Sequence, residues 1–236
     1  MMDLGLLVSL VITVTIVSVF VRPWPRHAVV SGAVDTAIGA ALIGLLVGRL
    51  AAVAVDDPGS LTSLSDLMVI RSGVEFWPGL LAGVLWLARG ARRDDVPAVV
   101  RLAALVPAGL VAWASYEATC LVRDGCPGPA SALGLRPDGL ATRVFPIGLM
   151  VAASVLISAW VLDRRHRRGE SDLTIVVAAI AVAATIRSVA SIWLPRISDG
   201  PTRQHRTSMA VAATAIVGLI LATVRERRRS RIPTAR

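Results

Sequence analysis

A chain of 236 residues that is 55% hydrophobic, with a mean hydropathy of +0.68, belongs with integral membrane proteins before any motif is read. Its formal net charge of +9 is carried without a single lysine, and most of the arginines stand at the ends of apolar runs. That is the pattern of membrane topology and excludes a nucleic-acid-binding face; neither a cofactor nor a metal is expected.

The first apolar run spans 4–21 and is about long enough to cross a bilayer. It follows Met-Met-Asp and precedes Arg22, Arg26 and His27, the reverse of a cleaved signal peptide, so it reads as a retained helix with its N-terminus outside. Pro23 and Pro25 stop it. The second run, 28–54, carries Asp35 and Arg49 and is apolar on every face around the arginine. Gly44 and Gly48 make a Gly-x-x-x-Gly step that lets another helix come close just before Arg49. A polar loop, Asp56 to Arg71, leads to a short third run, 76–88, with Trp77 and Trp86 as interface anchors. Asp94, Asp95 and Pro97 look like a helix start, opening a fourth run over 98–116. Arg101, one turn inside it, is expected to snorkel to the inner surface.

Ala118 to Arg143 is rich in Gly and Pro and predicts ordered turns with little regular structure. Its length marks it as a functional candidate. It holds both cysteines, Cys120 and Cys126, outside the cytoplasm, where a disulfide and a pair of separate thiols are both open. The fifth run, 144–162, ends in Asp-Arg-Arg-His-Arg-Arg; the sixth, 173–194, contains Arg187; the seventh, 209–224, meets a basic tail over 225–236. The expected fold is all-α: one integral membrane domain, a bundle of seven transmembrane helices with the N-terminus outside and the C-terminus cytoplasmic. In that arrangement fifteen arginines lie at inner ends against seven in outer loops, as the positive-inside rule requires.

The second and sixth runs both lead outward, so Arg49 and Arg187 start roughly 10–12 Å below the outer interface. Tyr116 and Glu117 close the fourth run, and Glu75 with Trp77 opens the third, in the same outer layer. Two cations and two carboxylates at that depth suit an anionic lipid headgroup, since a guanidinium matches phosphate with forked donors. Arg–Glu locks between helices are the plain structural alternative. Asp35 lies too far along its helix to join this group.

Several segments resemble the prolipoprotein diacylglyceryl transferases, seven-span bacterial membrane enzymes. Asp35 with Gly48-Arg49-Leu50 is similar to the family's second helix, and Ser72-Gly-Val-Glu-Phe-Trp-Pro-Gly-Leu-Leu-Ala-Gly83 to its Gly-Gly-x-x-x-His-Gly-Gly-x-x-Gly stretch. Tyr116-Glu117 falls where a family signature ends in Asn-x-Glu; Ile186-Arg187 resembles the sixth-helix arginine, and Thr207-Ser208-Met209 the Ser-Met-Gly opening of the last helix. Trp77 stands at the family's histidine position, Leu110 at one of its arginines, and Ser191 where an acid is expected. The resemblance implies a bacterial plasma-membrane protein that moves a diacylglyceryl group from phosphatidylglycerol to the lipobox cysteine of a prolipoprotein. Arg187 and Glu117 would be catalytic, the first on the phosphate, the second shaping the pocket or taking a proton; Arg49, Glu75, Trp77, Tyr116 and Arg143 would bind substrate. Trp77 is expected to face Arg187, by cation–π contact or as a plug in the histidine's place. The alternatives are a non-catalytic relative that binds an anionic phospholipid or lipidated partner, and a small anion transporter, for which the sequence offers no internal repeat.

Overall fold

The computed structural model describes residues 4–21, 32–56, 58–59, 74–123, 126, 128–136, 141–193 and 202–230. Its helices are α1 (Leu4–Val21), α2 (Ala33–Asp56), α3 (Phe76–Asp94), α4 (Ala98–Ala118), the single turn α5 (Cys120–Arg123), α6 (Ile147–Arg167), α7 (Asp172–Trp193) and α8 (Arg203–Ser230), with one strand, β1 (Ala130–Leu135). Among the described residues, five helical stretches are long and apolar enough to cross a membrane: Asp35–Asp56, Ala98–Val122, Ile147–Arg167, Asp172–Trp193 and Arg203–Arg225. In α1 the shorter apolar stretch Leu7–Phe20 falls below that length. The amphipathic α3 is absent from the set, because it does not stop at residue 88 but continues through Arg89 to Asp94.

Large apolar side chains stay outside along these helices, among them Leu42, Leu45 and Leu46 on α2, Ile157 on α6, and Val217, Ile220 and Leu221 on α8. In water so much contiguous apolar surface would be covered. The hydroxyls along the same helices bond to their own carbonyls one turn back, as Ser9 to Gly5, Ser115 to Val111, Thr185 to Ala181 and Thr214 to Ala210. That is how a polar group is satisfied where no water is available.

The chain divides into two compact units: one of Met1–Pro23 and Leu105–Arg236, the other of Trp24–Ala104. The division falls inside α4, between Ala104 and Leu105 and just before its internal Pro107.

In the unit Trp24–Ala104, α2 packs against α3 through glycine. A Cβ on Gly79 would lie 2.6 Å from the Gly44 carbonyl oxygen, and one on Gly48 2.7 Å from that of Glu75. The close approach expected at Gly44 and Gly48 is therefore made, and α3 makes it. Glu75 N–H donates to Gly48 O at 3.0 Å, which ties the start of α3 to the α2 backbone.

Arg101 does not snorkel. It is 3% exposed, and its Nη1 donates to Gly90 O at 2.8 Å and its Nη2 to Thr36 Oγ1 at 3.2 Å. A Cβ at Gly90 would sit 2.6 Å from that guanidinium, so the glycine provides the space that keeps it inside. Asp94 and Asp95 also differ from expectation: Asp94 ends α3, Asp95 takes a left-handed φ of 52°, and α4 starts after Pro97.

In the other unit, the core joins Leu110, Val111 and Ala114 of α4 to Val151, Val155 and Ala159 of α6 and Ala178 and Ala179 of α7. Gly169 at φ 89° ends α6, and Ser171 caps α7 by accepting from Thr174 N–H at 3.3 Å. The basic end of α6 is paired around this turn. Arg167 Nε donates to Asp163 at 2.7 Å, His166 meets Asp172 at 2.7 Å, and the Arg164 guanidinium lies 4.9 Å from the Trp160 ring centroid.

The Gly/Pro-rich stretch is not only turns, since α5 and β1 lie in it and Ala130 and Leu135 both bridge to Val144. The last helix begins at Arg203 and not at 209, because Thr202 Oγ1 accepts from His205 N–H at 3.2 Å and its carbonyl from Arg206 N–H at 3.1 Å. This cap starts the helix two polar turns before the apolar run.

Candidate functional site

The last turn of α7 and the first turns of α8 meet in a polar corner. Arg187 and Ser191 are one turn apart on α7, while Gln204 and His205 are consecutive on α8. Two rungs connect them: Arg187 Nη2 donates to Gln204 Oε1 at 3.2 Å, and Ser191 Oγ lies 2.7 Å from His205 Nδ1. Ser191 is buried at 8% exposure, whereas Arg187, Gln204 and His205 are half-buried. Arg203 and Arg206 are exposed on the same first turns of α8. The corner thus holds a guanidinium set in direction by an amide, an imidazole set by a buried hydroxyl, and further positive charge around them.

Glu117 belongs to the same unit and closes α4. Its Oε1 accepts from Trp113 Nε1 at 3.0 Å, one turn back on the helix, and the residue is half-buried. Tyr116 beside it is also half-buried. Just beyond, Cys120 and Cys126 form a disulfide with a Cα–Cα distance of 4.7 Å, well within bridging reach. Gly148 at the start of α6 lies against it: a Cβ there would be 2.7 Å from Cys120 Sγ and 3.0 Å from Glu117 O. Arg143 is exposed, and its carbonyl accepts from Ser131 N–H at 3.0 Å, pairing the loop with β1.

The bridge closes a loop of sequence separation 6, and the loop-entropy relation gives such a closure about 2 kcal/mol. Cys120→Ser is expected to cost about that much, read as a lower melting temperature in detergent. Maleimide labelling of the unreduced chain should leave both cysteines untouched, and labelling without reductant would contradict the bridge.

Arg49, Glu75 and Trp77 fall in the other unit. Arg49 is 9% exposed and Glu75 8%, so both ionisable groups are buried near the glycine crossing. The Trp77 ring meets Phe76 edge-on at 5.0 Å. Trp77 and Arg187 are thus in different units, as are Arg49 and Arg187. Asp35 is exposed in the first turn of α2, apart from the buried pair.

Gln204 and His205 are the functional candidates that the sequence reading passes over, because it starts the seventh run at 209. The available signal was Thr202 as a helix cap followed by His205 at the third helical position. No family model matches the chain, and no curated protein sequence does.

Proposed function

We propose that this chain is a multi-pass protein of a bacterial plasma membrane that handles an anionic phospholipid of the phosphatidylglycerol type, as a divergent diacylglyceryl transferase. In this reading seven apolar helices span, the N-terminus is outside, and the α7–α8 corner lies toward the outer leaflet. The observation that carries it is the Arg187–Gln204 rung beside Ser191 and His205. A guanidinium held in direction at the end of a membrane helix is the group that a phosphate diester requires.

In the transfer, the thiol of an incoming cysteine gives up its proton and the thiolate attacks the glyceryl carbon that bears the phosphate. The carbon–oxygen bond breaks and glycerol phosphate leaves with the bonding pair. Arg187 stabilises the charge on the leaving phosphate. Glu117, held by Trp113, shapes the α4 end of the same unit.

Purified chain given phosphatidylglycerol and a lipobox peptide should release glycerol phosphate and add one diacylglyceryl mass to the peptide. A second reading, a non-catalytic lipid binder, is favoured by the Glu117 carboxylate being engaged by Trp113 and by Trp77 standing where the family has histidine. Phosphatidylglycerol retained in native mass spectrometry without any release selects that second reading. Neither retention nor release would end both.

A further inference from the structure

The Ser191–His205 contact determines which nitrogen of the imidazole is basic. Ser191 Oγ is 2.7 Å from the carbonyl oxygen of Ser188 and 2.7 Å from His205 Nδ1. A carbonyl oxygen accepts and never donates, so the single hydroxyl proton of Ser191 is committed to Ser188. Toward the imidazole the serine oxygen then acts as acceptor, and Nδ1 carries the proton. The neutral tautomer is thereby set with its lone pair on Nε2, which has no hydrogen-bond partner among the described residues. Ser191 is buried and its helix is packed along α8, so the tautomer is held by the fold. A base is held in the same way when a neighbouring group takes the proton of one ring nitrogen and leaves the other to react.

Among the described residues, Arg187 lies across on α7, Arg203 and Arg206 are on the same helix as His205, and no carboxylate bonds to the ring. These arginines draw an anionic headgroup to the corner, while the uncharged Nε2 accepts a proton from the acceptor molecule brought beside it.

We propose that His205 is the proton-accepting residue of this site: its Nε2 takes the proton from the attacking thiol, and Ser191 is the positioning residue that keeps Nδ1 protonated. The inference rests on the transfer reading above. The balance is complete. The thiol proton moves to Nε2, the thiolate forms the new carbon–sulfur bond, the carbon–oxygen bond to phosphate breaks, and the imidazolium returns its proton to the departing glycerol phosphate.

The test uses the full chain in detergent with phosphatidylglycerol and a lipobox peptide. His205→Gln keeps an amide donor for Ser191 but has no basic nitrogen, so it should retain phosphatidylglycerol and melt like the wild type while releasing glycerol phosphate about 100-fold more slowly. Ser191→Ala should cost less, because the base remains and only its tautomer is freed. An independent readout is nitrogen-15 NMR of histidine-labelled chain, with the His205→Gln spectrum assigning the signal among the three histidines; the Nδ1–H tautomer is expected. An Nε2–H tautomer, or a His205→Gln variant as fast as the wild type, overturns this inference alone. No release by the wild-type chain overturns the transfer reading and this role with it.

Discussion

Gly79→Leu is expected to force α3 off α2 and to produce the largest loss of stability of any single change in the unit Trp24–Ala104. The reason is what a side chain there would meet. The first carbon alone would lie 2.6 Å from the Gly44 carbonyl oxygen and 3.4 Å from Gly48 Cα, both of them backbone. Backbone cannot swing aside as a flexible side chain can, so the two helices must separate. Between membrane helices, lipid tails compete equally for apolar surface, and close backbone contact through small residues is a main source of association. Separation also stretches the Glu75 N–H bond to Gly48 O beside the buried Arg49 and Glu75. Gly79→Ala should cost about 1–3 kcal/mol as an overpacked site, and the leucine more. Gly109→Ala is the control, since a Cβ at that helical position meets nothing within 4 Å. It should be neutral or slightly stabilising, because alanine loses less entropy in a helix than glycine. The six tryptophans report melting in detergent, and a Gly79→Leu chain that melts with Gly109→Ala would refute the crossing.

This crossing could be read from the sequence, and the reason is local. Gly44 and Gly48 are spaced to lie on one helix face, and no distant residue is needed to see that the face is bare. The five stretches long and apolar enough to cross a membrane lie on apolar runs that the sequence shows in the same way, and α1 runs over the residues expected of it. Arg101 was misread because position along a helix predicts only where the guanidinium starts. Its burial depends on the hole left by Gly90 on α3 and on the hydroxyl of Thr36 on α2, contacts that no local pattern contains. The start of α8 was missed for the opposite reason. Its first two turns, Arg203 to Ser208, are polar, and a hydropathy reading begins only where the apolar run does. That error hid Gln204 and His205, which join Arg187 and Ser191 only because the helix already exists at Arg203. The disulfide lay between these cases: the compartment left a bridge open, and the folded chain brings the Cα atoms of Cys120 and Cys126 to 4.7 Å.

Arg187→Ala should weaken phosphatidylglycerol retention by about 10- to 100-fold, the range corresponding to loss of a hydrogen bond to a charged group. The forked donors of the guanidinium matter here and not charge alone. Gln204 Oε1 accepts from Nη2 at 3.2 Å and so sets the plane of the guanidinium, a constraint a lysine ammonium does not satisfy. Arg187→Lys keeps the positive charge and is expected to fall between the wild type and alanine. Gln204→Ala leaves the charge but frees its direction, and should cost less than Arg187→Ala. Arg203 and Arg206 are exposed on α8, so their alanine variants should weaken binding by less and lose that effect in high salt. Native mass spectrometry across a phosphatidylglycerol titration gives the ranking directly, with melting temperature as the check on folding. Alanine and wild type binding alike would remove the guanidinium from the lipid site and leave the Arg187–Gln204 rung as a tie between two helices.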